Sequence, residues 1–286
     1  AFTEYGLIAE TIEWPDDRSW VAFKIRKEAR WQDGKKIIPE DVIWTFNTLM
    51  EKGHPFYKYY YADVKEVIKE SENKVRFNFK GKTNLELPLI VGQLPVLPKH
   101  YWNDLNFEET ILKPPLGSGP YKIKSFDPGR SITYELNKDY WGFEIPIKKG
   151  TENFEIIKYE YYKDRSIERE AFKSGDIDFF SENTSKDWAT SYNIPAVQKG
   201  LIIKENIEHE NPQGMQAFAF NTRKDLFKDR RVRRALSYAF DFEWTNKNLF
   251  YGAYKRTNSF FENSELASSG LPSKEEAQFL DPFRDI

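Results

Sequence analysis

The stretch Pro114-Pro115-Leu116-Gly117-Ser118-Gly119-Pro120-Tyr121-Lys122-Ile123-Lys124-Ser125-Phe126-Asp127-Pro128-Gly129-Arg130-Ser131-Ile132-Thr133-Tyr134-Glu135-Leu136 decides how the chain is read. A Gly/Pro-rich turn opens it. Lys122–Phe126 and Ser131–Leu136 then alternate with the period of two that a half-buried strand requires. Pro128-Gly129 between them is turn chemistry, since proline presets φ and glycine accepts positive φ. The pattern predicts a β-hairpin, closed by Asn137-Lys138-Asp139-Tyr140-Trp141-Gly142.

Outward from the hairpin, Trp20–Ile25 and Lys74–Phe79 alternate and predict strands, as does Phe154–Tyr162. Gln32-Asp33-Gly34 is a turn, after which Pro39 suits a first helical position with Glu40 and Asp41 in the positive first turn. Val42, Phe46 and Leu49 share one face of that helix, and Gly53-His54-Pro55 ends it. Leu85–Leu97, with Pro88 and Pro95, reads as a helix or a buried turn. Further on, Ser166 can cap a helix that Gly175 stops, and Asp176–Phe180 reads as a short buried strand. Gln216–Phe220 predicts another strand, followed by a helix from Asp229 that buries Val232, Leu236 and Phe240. After Ser259 the periodicity is lost. Elements of both kinds intermingle, so the fold class is α/β with mixed α+β character.

Composition narrows the function. A net charge of −2 gives no basic surplus for nucleic acid or an anionic membrane, so no nucleic-acid partner is expected. With no cysteine there is no disulfide, thiolate metal site or cysteine nucleophile. His54, His100 and His209 lie far apart without metal-ligand spacing, and no phosphate-cradling or nucleophile-elbow motif is present, so neither metal nor cofactor is expected. Glu182, Asp187 and Glu262 lie near Trp188 or Phe261, the residue types of a glycosidase cleft, but 45 acidic residues make such neighbours common by chance. The chain is read as a non-enzyme.

Three segments carry a resemblance that spans most of the chain. They are the hairpin with its Tyr140-Trp141 close, Ile25–Lys35 followed by Pro39-Glu40-Asp41-Val42, and Phe220-Asn221-Thr222 followed by Phe227–Asp241. Together, in this order, they resemble the family 5 extracellular solute-binding proteins. Gly53–Tyr57, Gly92–Trp102 and Phe260–Leu266 are similar to the YejA-like oligopeptide-binding branch. The resemblance implies a periplasmic-binding-protein-like fold, two lobes closing about a hinge, with an extra auxiliary domain. Its implied segments are 1–112 for the auxiliary domain, 113–200 for part of the first lobe and 201–286 for the start of the second. Family members are longer at both ends, so the resemblance implies a fragment. The acidic residue that pairs with a peptide's amino terminus is then expected beyond Ile286.

The implied function is a monomeric periplasmic receptor that captures oligopeptides between the lobes and delivers them to an inner-membrane ABC permease. Alternatives are the same fold serving an opine, a sugar or a peptide-antibiotic conjugate, and more distantly a glycoside hydrolase. No signal segment opens the chain, which begins Ala1-Phe2-Thr3. Composition marks the loop Phe56–Tyr61, with five aromatics in six residues, as a candidate ligand surface, the alternative for most of the five being a loop packed onto its own domain. The resemblance places Phe56 or Tyr57 against the peptide, assigns polar contacts to the segment holding Glu182 and Asn183, and makes Met215, Gln216 and Phe218 a wall of the cleft.

Overall fold

The computed structural model describes residues 3–81, 84–109 and 112–284, which form two compact units divided between Lys163 and Asp164. In the first unit β1 (Ala9–Glu13), β2 (Trp20–Ile25), β3 (Val64–Ser71) and β4 (Lys74–Phe79) make an antiparallel sheet in the order β1-β2-β4-β3. The predicted alternation in β4 is physical: Val75, Phe77 and Phe79 are buried while Lys74, Arg76 and Asn78 are half-buried. Strands β1 and β3 escaped the sequence reading, because Glu10, Glu13, Lys65, Glu66 and Lys69 dilute their apolar signal.

Helix α1 (Pro39–Lys52) lays Val42, Phe46 and Leu49 over this sheet, and Phe46 meets Phe77 edge-to-face at 6.0 Å. Each such side chain contributes about 1.5–3 kcal/mol by leaving water. The residue before Pro39 is Ile38, which has no acceptor to cap the helix. Asp41 serves instead, at 3 % exposure. Its carboxylate accepts from the Ile38 amide (3.1 Å), the Trp31 Nε1–H (3.2 Å) and the Lys99 amide (3.0 Å). One turn on, the Thr45 hydroxyl donates to the Asp41 carbonyl and accepts from the Leu97 amide at 2.9 Å.

Those bonds fix the approach to α4 (Lys99–Trp102), which follows α2 (Pro55–Tyr60) and α3 (Leu87–Gly92). The stretch 85–97 is therefore a short helix plus extended chain. Residues 55–60 are helical, not the loop expected, because the His54 Nδ1 accepts from the Phe56 amide at 3.2 Å and Pro55 sits at the helix start.

The hairpin is present as β5 (Tyr121–Asp127) and β6 (Ser131–Leu136), and β7 (Ile156–Glu160) completes a sheet in the order β5-β6-β7. Its three-residue turn is closed by the Arg130 amide on the Asp127 carbonyl (2.9 Å), with Gly129 at φ +74°. Two of the sequence signatures meet here. Gln32 donates its side-chain amide to the Gly119 and Tyr121 carbonyls (3.1 and 2.7 Å), and its backbone amide bonds Gly117 at 2.9 Å.

The second unit holds α5 (Arg165–Ser174), α6 (Ser185–Thr190), α7 (Pro195–Gln198), α8 (Asp225–Lys228), α9 (Arg230–Ala239), α10 (Phe242–Leu249) and α11 (Lys274–Leu280). Asp164, not Ser166, caps α5, accepting from the Ser166 and Ile167 amides, while Gly175 at φ +90° ends it as expected. No strand forms at 176–180 or 216–220 among the described residues, since neither segment finds a partner strand to satisfy its backbone. Phe179 is 76 % exposed, and Leu236 on α9 and Phe240 just past its end are also exposed, so the burial predicted for them is absent. After Ser259, α11 forms on a Ser273–Glu276 capping box where no element was expected. No helix of the described residues is long and apolar enough to cross a membrane.

Asp41→Ala removes one acceptor from three partly buried N–H donors, and bonds to a charged acceptor contribute about 1.5–3 kcal/mol each before non-additivity. We expect a loss of about 3 kcal/mol, read as a lower urea midpoint with unchanged m-value. Asn at this position should retain part of the stability.

Candidate functional site

Phe56 and Tyr57 are neighbours on α2 with ring centroids 6.2 Å apart, but they face different surroundings. Phe56 is 51 % exposed and stacks on Tyr60 at 4.9 Å. Tyr57 is half-buried against the core and stacks on Tyr61 at 6.0 Å. Burial pushes the Tyr61 hydroxyl up to about 12, with the neighbouring tyrosines adding to it. Of the aromatic run, Phe56 and Tyr59 therefore present free ring surface, while Tyr57, Tyr60 and Tyr61 anchor the helix.

The segment after the missing strand is organised by an arginine that sequence reasoning passed over. Arg169 lies on α5 at 8 % exposure. Its Nε donates to Glu182 Oε2 at 2.8 Å and its Nη2 to Asp187 of α6. Glu182 Oε2 also accepts from the Tyr192 hydroxyl at 3.0 Å, and Oε1 from the Thr184 amide at 3.1 Å. Burial acts to raise the Glu182 carboxyl, but Arg169, the Thr184 amide and Tyr192 together hold it below the usual carboxylate range. Tyr192 is pushed up to about 12, first by burial and then by donating to Glu182. The one available signal was an arginine at position 169 on the same helix as Ile167, Ala171 and Phe172.

Glu182 is thus engaged by its own fold, and a ligand ammonium would have to compete with Arg169. Asn183 beside it is exposed, its Oδ1 accepting only a 3.3 Å bond from Ser181. Asp187, the second acid of the glycosidase pattern, shares Arg169 with Glu182, and the third, Glu262, accepts from the Asn258 amide at 3.2 Å.

Met215, Gln216 and Phe218 lie on irregular chain. The start of that segment is positioned by the Gln213 amide on the Glu262 carbonyl (2.8 Å) and by Asn263, whose side chain donates to the His209 and Asn211 carbonyls (2.9 Å each). Asn263 holds φ +59°, one of four non-glycine residues with positive φ among the described residues, and asparagine tolerates it best. Phe218 is 85 % exposed, touching Phe240 edge-on at 6.4 Å, and Met215 is 42 % exposed. Among the described residues no hydrogen bond joins 182–183 to 215–218.

A model described as bacterial extracellular solute-binding proteins, family 5 Middle, matches residues 4–282. YepA of Agrobacterium fabrum, named a peptidoglycan-binding protein, is 44% identical over 282 residues, covering 96% of this chain and 46% of its own length. The probable peptide-binding protein YejA of the same organism is 42% identical over 290 residues, covering 98% and 47%. The chain spans about half the length of the curated relatives it matches. Among solved structures, NikA of Brucella suis, crystallised with Fe(III)-EDTA, superposes with TM-score 0.72 at 22% identity over 97% of this chain and 55% of its own. The oligopeptide-binding protein AppA of Bacillus subtilis, holding a nonapeptide, gives 0.64 at 23% over the same shares. These likenesses show the fold, and the expected mixed α/β class stands.

The Glu182 carboxyl has a folded pKa below its unfolded value of about 4.3, so the stability it contributes is complete at neutral pH and is lost as pH falls through the folded value. Unfolding of Glu182→Gln should show a shallower loss between about pH 5 and pH 3 than the parent. Arg169→Ala, which leaves Glu182 buried and without its cation, should cost about 3 kcal/mol at pH 7. Urea melts across that pH range check both.

Proposed function

The chain belongs to the bacterial extracellular solute-binding proteins, family 5, and from that membership we propose that it is part of a periplasmic receptor capturing oligopeptides for an inner-membrane ABC importer. The observation that carries the reading is the 42% identity, along nearly the whole chain, to a relative named for peptide binding. Residues 1–112 are then the auxiliary domain, 113–200 part of the first lobe and 201–286 the start of the second. Ligand closes the lobes by binding the closed state more tightly than the open one.

Peptide recognition asks for apolar ring surface and for polar partners to main-chain N–H and C=O groups, which are costly to leave unpaired in a cleft. Phe56 and Phe218 supply exposed rings, and Asn183 and Gln216 supply exposed amides able to donate and accept. Met215 adapts to varied side chains. In the first unit Tyr57 is a scaffold residue through its ring stack on Tyr61, and in the second Glu182 is one through Arg169. A second reading has a specific observation behind it. YepA is named for peptidoglycan binding at 44% identity, so peptides linked to sugar are the first alternative ligand class.

Intact mass of the purified protein, denatured and native, tests the proposal. A native mass exceeding the denatured one, with the released molecule sequenced as peptide, is the expected result. Release of an opine or a free sugar would overturn it. Phe218→Ala and Gln216→Ala should each weaken a captured peptide about tenfold, about 1.4 kcal/mol, by calorimetry. Neither should move Tm, because both side chains are exposed.

A further inference from the structure

Asn183 follows a segment of strand composition, 176–180, that joins no sheet, yet the chain on both sides of it is held by side chains. Upstream, the Arg165 guanidinium lies over the Phe180 ring at 4.3 Å and donates to the Ser181 carbonyl. Phe180 in turn stacks on Phe172 of α5 at 5.6 Å. Around Asn183 itself, Glu182 Oε1 reaches across to accept from the Thr184 amide at 3.1 Å, closing a turn with Asn183 at its middle. The other carboxylate oxygen is fixed by Arg169 Nε at 2.8 Å and by the Tyr192 hydroxyl at 3.0 Å. Arg165 and Arg169 stand one turn apart on α5, so a single helix face grips two consecutive residues, Ser181 and Glu182. The Glu182 side chain is almost fully buried in this grip, while Asn183 is left exposed.

We propose that Arg165, Arg169 and Tyr192 are positioning residues that preset Asn183 for its ligand, a role that rests on the reading that Asn183 meets a captured peptide. Apolar side chains of the same volume often fill such a site with no loss of stability. They would offer the Thr184 amide no acceptor, and the turn around Asn183 would open. What the ionic arrangement adds is therefore direction: it fixes where the Asn183 amide points without itself reaching the ligand. A loop residue that its ligand must order loses part of the binding free energy to backbone and side-chain entropy, and a residue already ordered on folding does not. The grip replaces, with side-chain bonds, the rigidity that a sheet would have given this segment.

Backbone 15N relaxation of the full chain without ligand is the first measurement. Order parameters of Glu182, Asn183 and Thr184 should be close to about 0.85 in the parent and fall toward about 0.6 in Arg165→Gln and in Tyr192→Phe. Arg165→Lys, which keeps a cation and a donor, should restore most of the order, and Lys186→Gln, an exposed change on α6, should leave it untouched. Calorimetry with tetra-alanine then reads the consequence. Asn183→Ala should weaken binding about tenfold in the parent but add little in Tyr192→Phe, because the preset amide is already lost there. Unchanged order parameters would overturn the positioning role and leave peptide capture standing. Lowered order with fully additive losses would overturn the link between the grip and Asn183. Tetra-alanine failing to bind the parent, with order falling as expected in the variants, would overturn the peptide reading and the role in binding that rests on it.

Discussion

A single buried carboxylate organises the first unit. Asp41 joins the start of α1, the indole of Trp31 and the chain entering α4, segments separated in sequence. A charge at 3 % exposure is tolerated only when its lone pairs are occupied, and here three N–H groups occupy them. The constraint runs both ways. The helix lacks a side-chain cap at Ile38, so it needs Asp41, and Asp41 needs the donors that the surrounding turns deliver. Once α1 is placed, Phe46 and Leu49 reach the sheet, and the Trp31–Gln32 turn is held where Gln32 can bond the foot of the hairpin.

What could be read from the sequence was local. The hairpin, β2, β4, β7 and α1 each carry their own period, turn or cap, and each formed where expected. Gly175 ended its helix for the same reason. The misreadings share another cause, dependence on something distant. Segments 176–180 and 216–220 have strand composition, but a strand exists only when another satisfies its backbone. Ser166 looked like the cap of α5, yet Asp164 two residues earlier offers an ionised acceptor to the Ser166 and Ile167 amides and starts the helix sooner. Of the candidate site, Phe56 and Phe218 are exposed. The engagement of Glu182 was illegible, because Arg169, Thr184, Asp187 and Tyr192 converge on it only after α5 and α6 are in place.

The two units differ in what holds them. In the first, sixteen buried apolar residues form one cluster from Val21 to Leu94. In the second, the buried residues among those described are Arg169, Tyr192 and Ser259, and two of those three belong to the ionic network or its hydroxyl partner. Helix caps at Asp164, Asp229, Asp241 and Ser273 supply most of the local order there. Segments held by caps and ion pairs open at lower free energy than segments held by a core, so amide protection should be graded from the first unit to the second.

The Thr45–Leu97 and Asp41–Lys99 bonds clasp residues 52 and 58 positions apart, and the hairpin of β3 and β4 hangs in the intervening chain. Closing a longer loop costs only about 0.6 kcal/mol per doubling of length. The clasp is therefore almost indifferent to how much polypeptide passes between its halves. Over evolutionary time the connections inside that span are free to lengthen, shorten or acquire ornaments, while Asp41 and Thr45 keep the frame closed. Diversification of the surface and preservation of the scaffold are separable here because two short side chains close the loop.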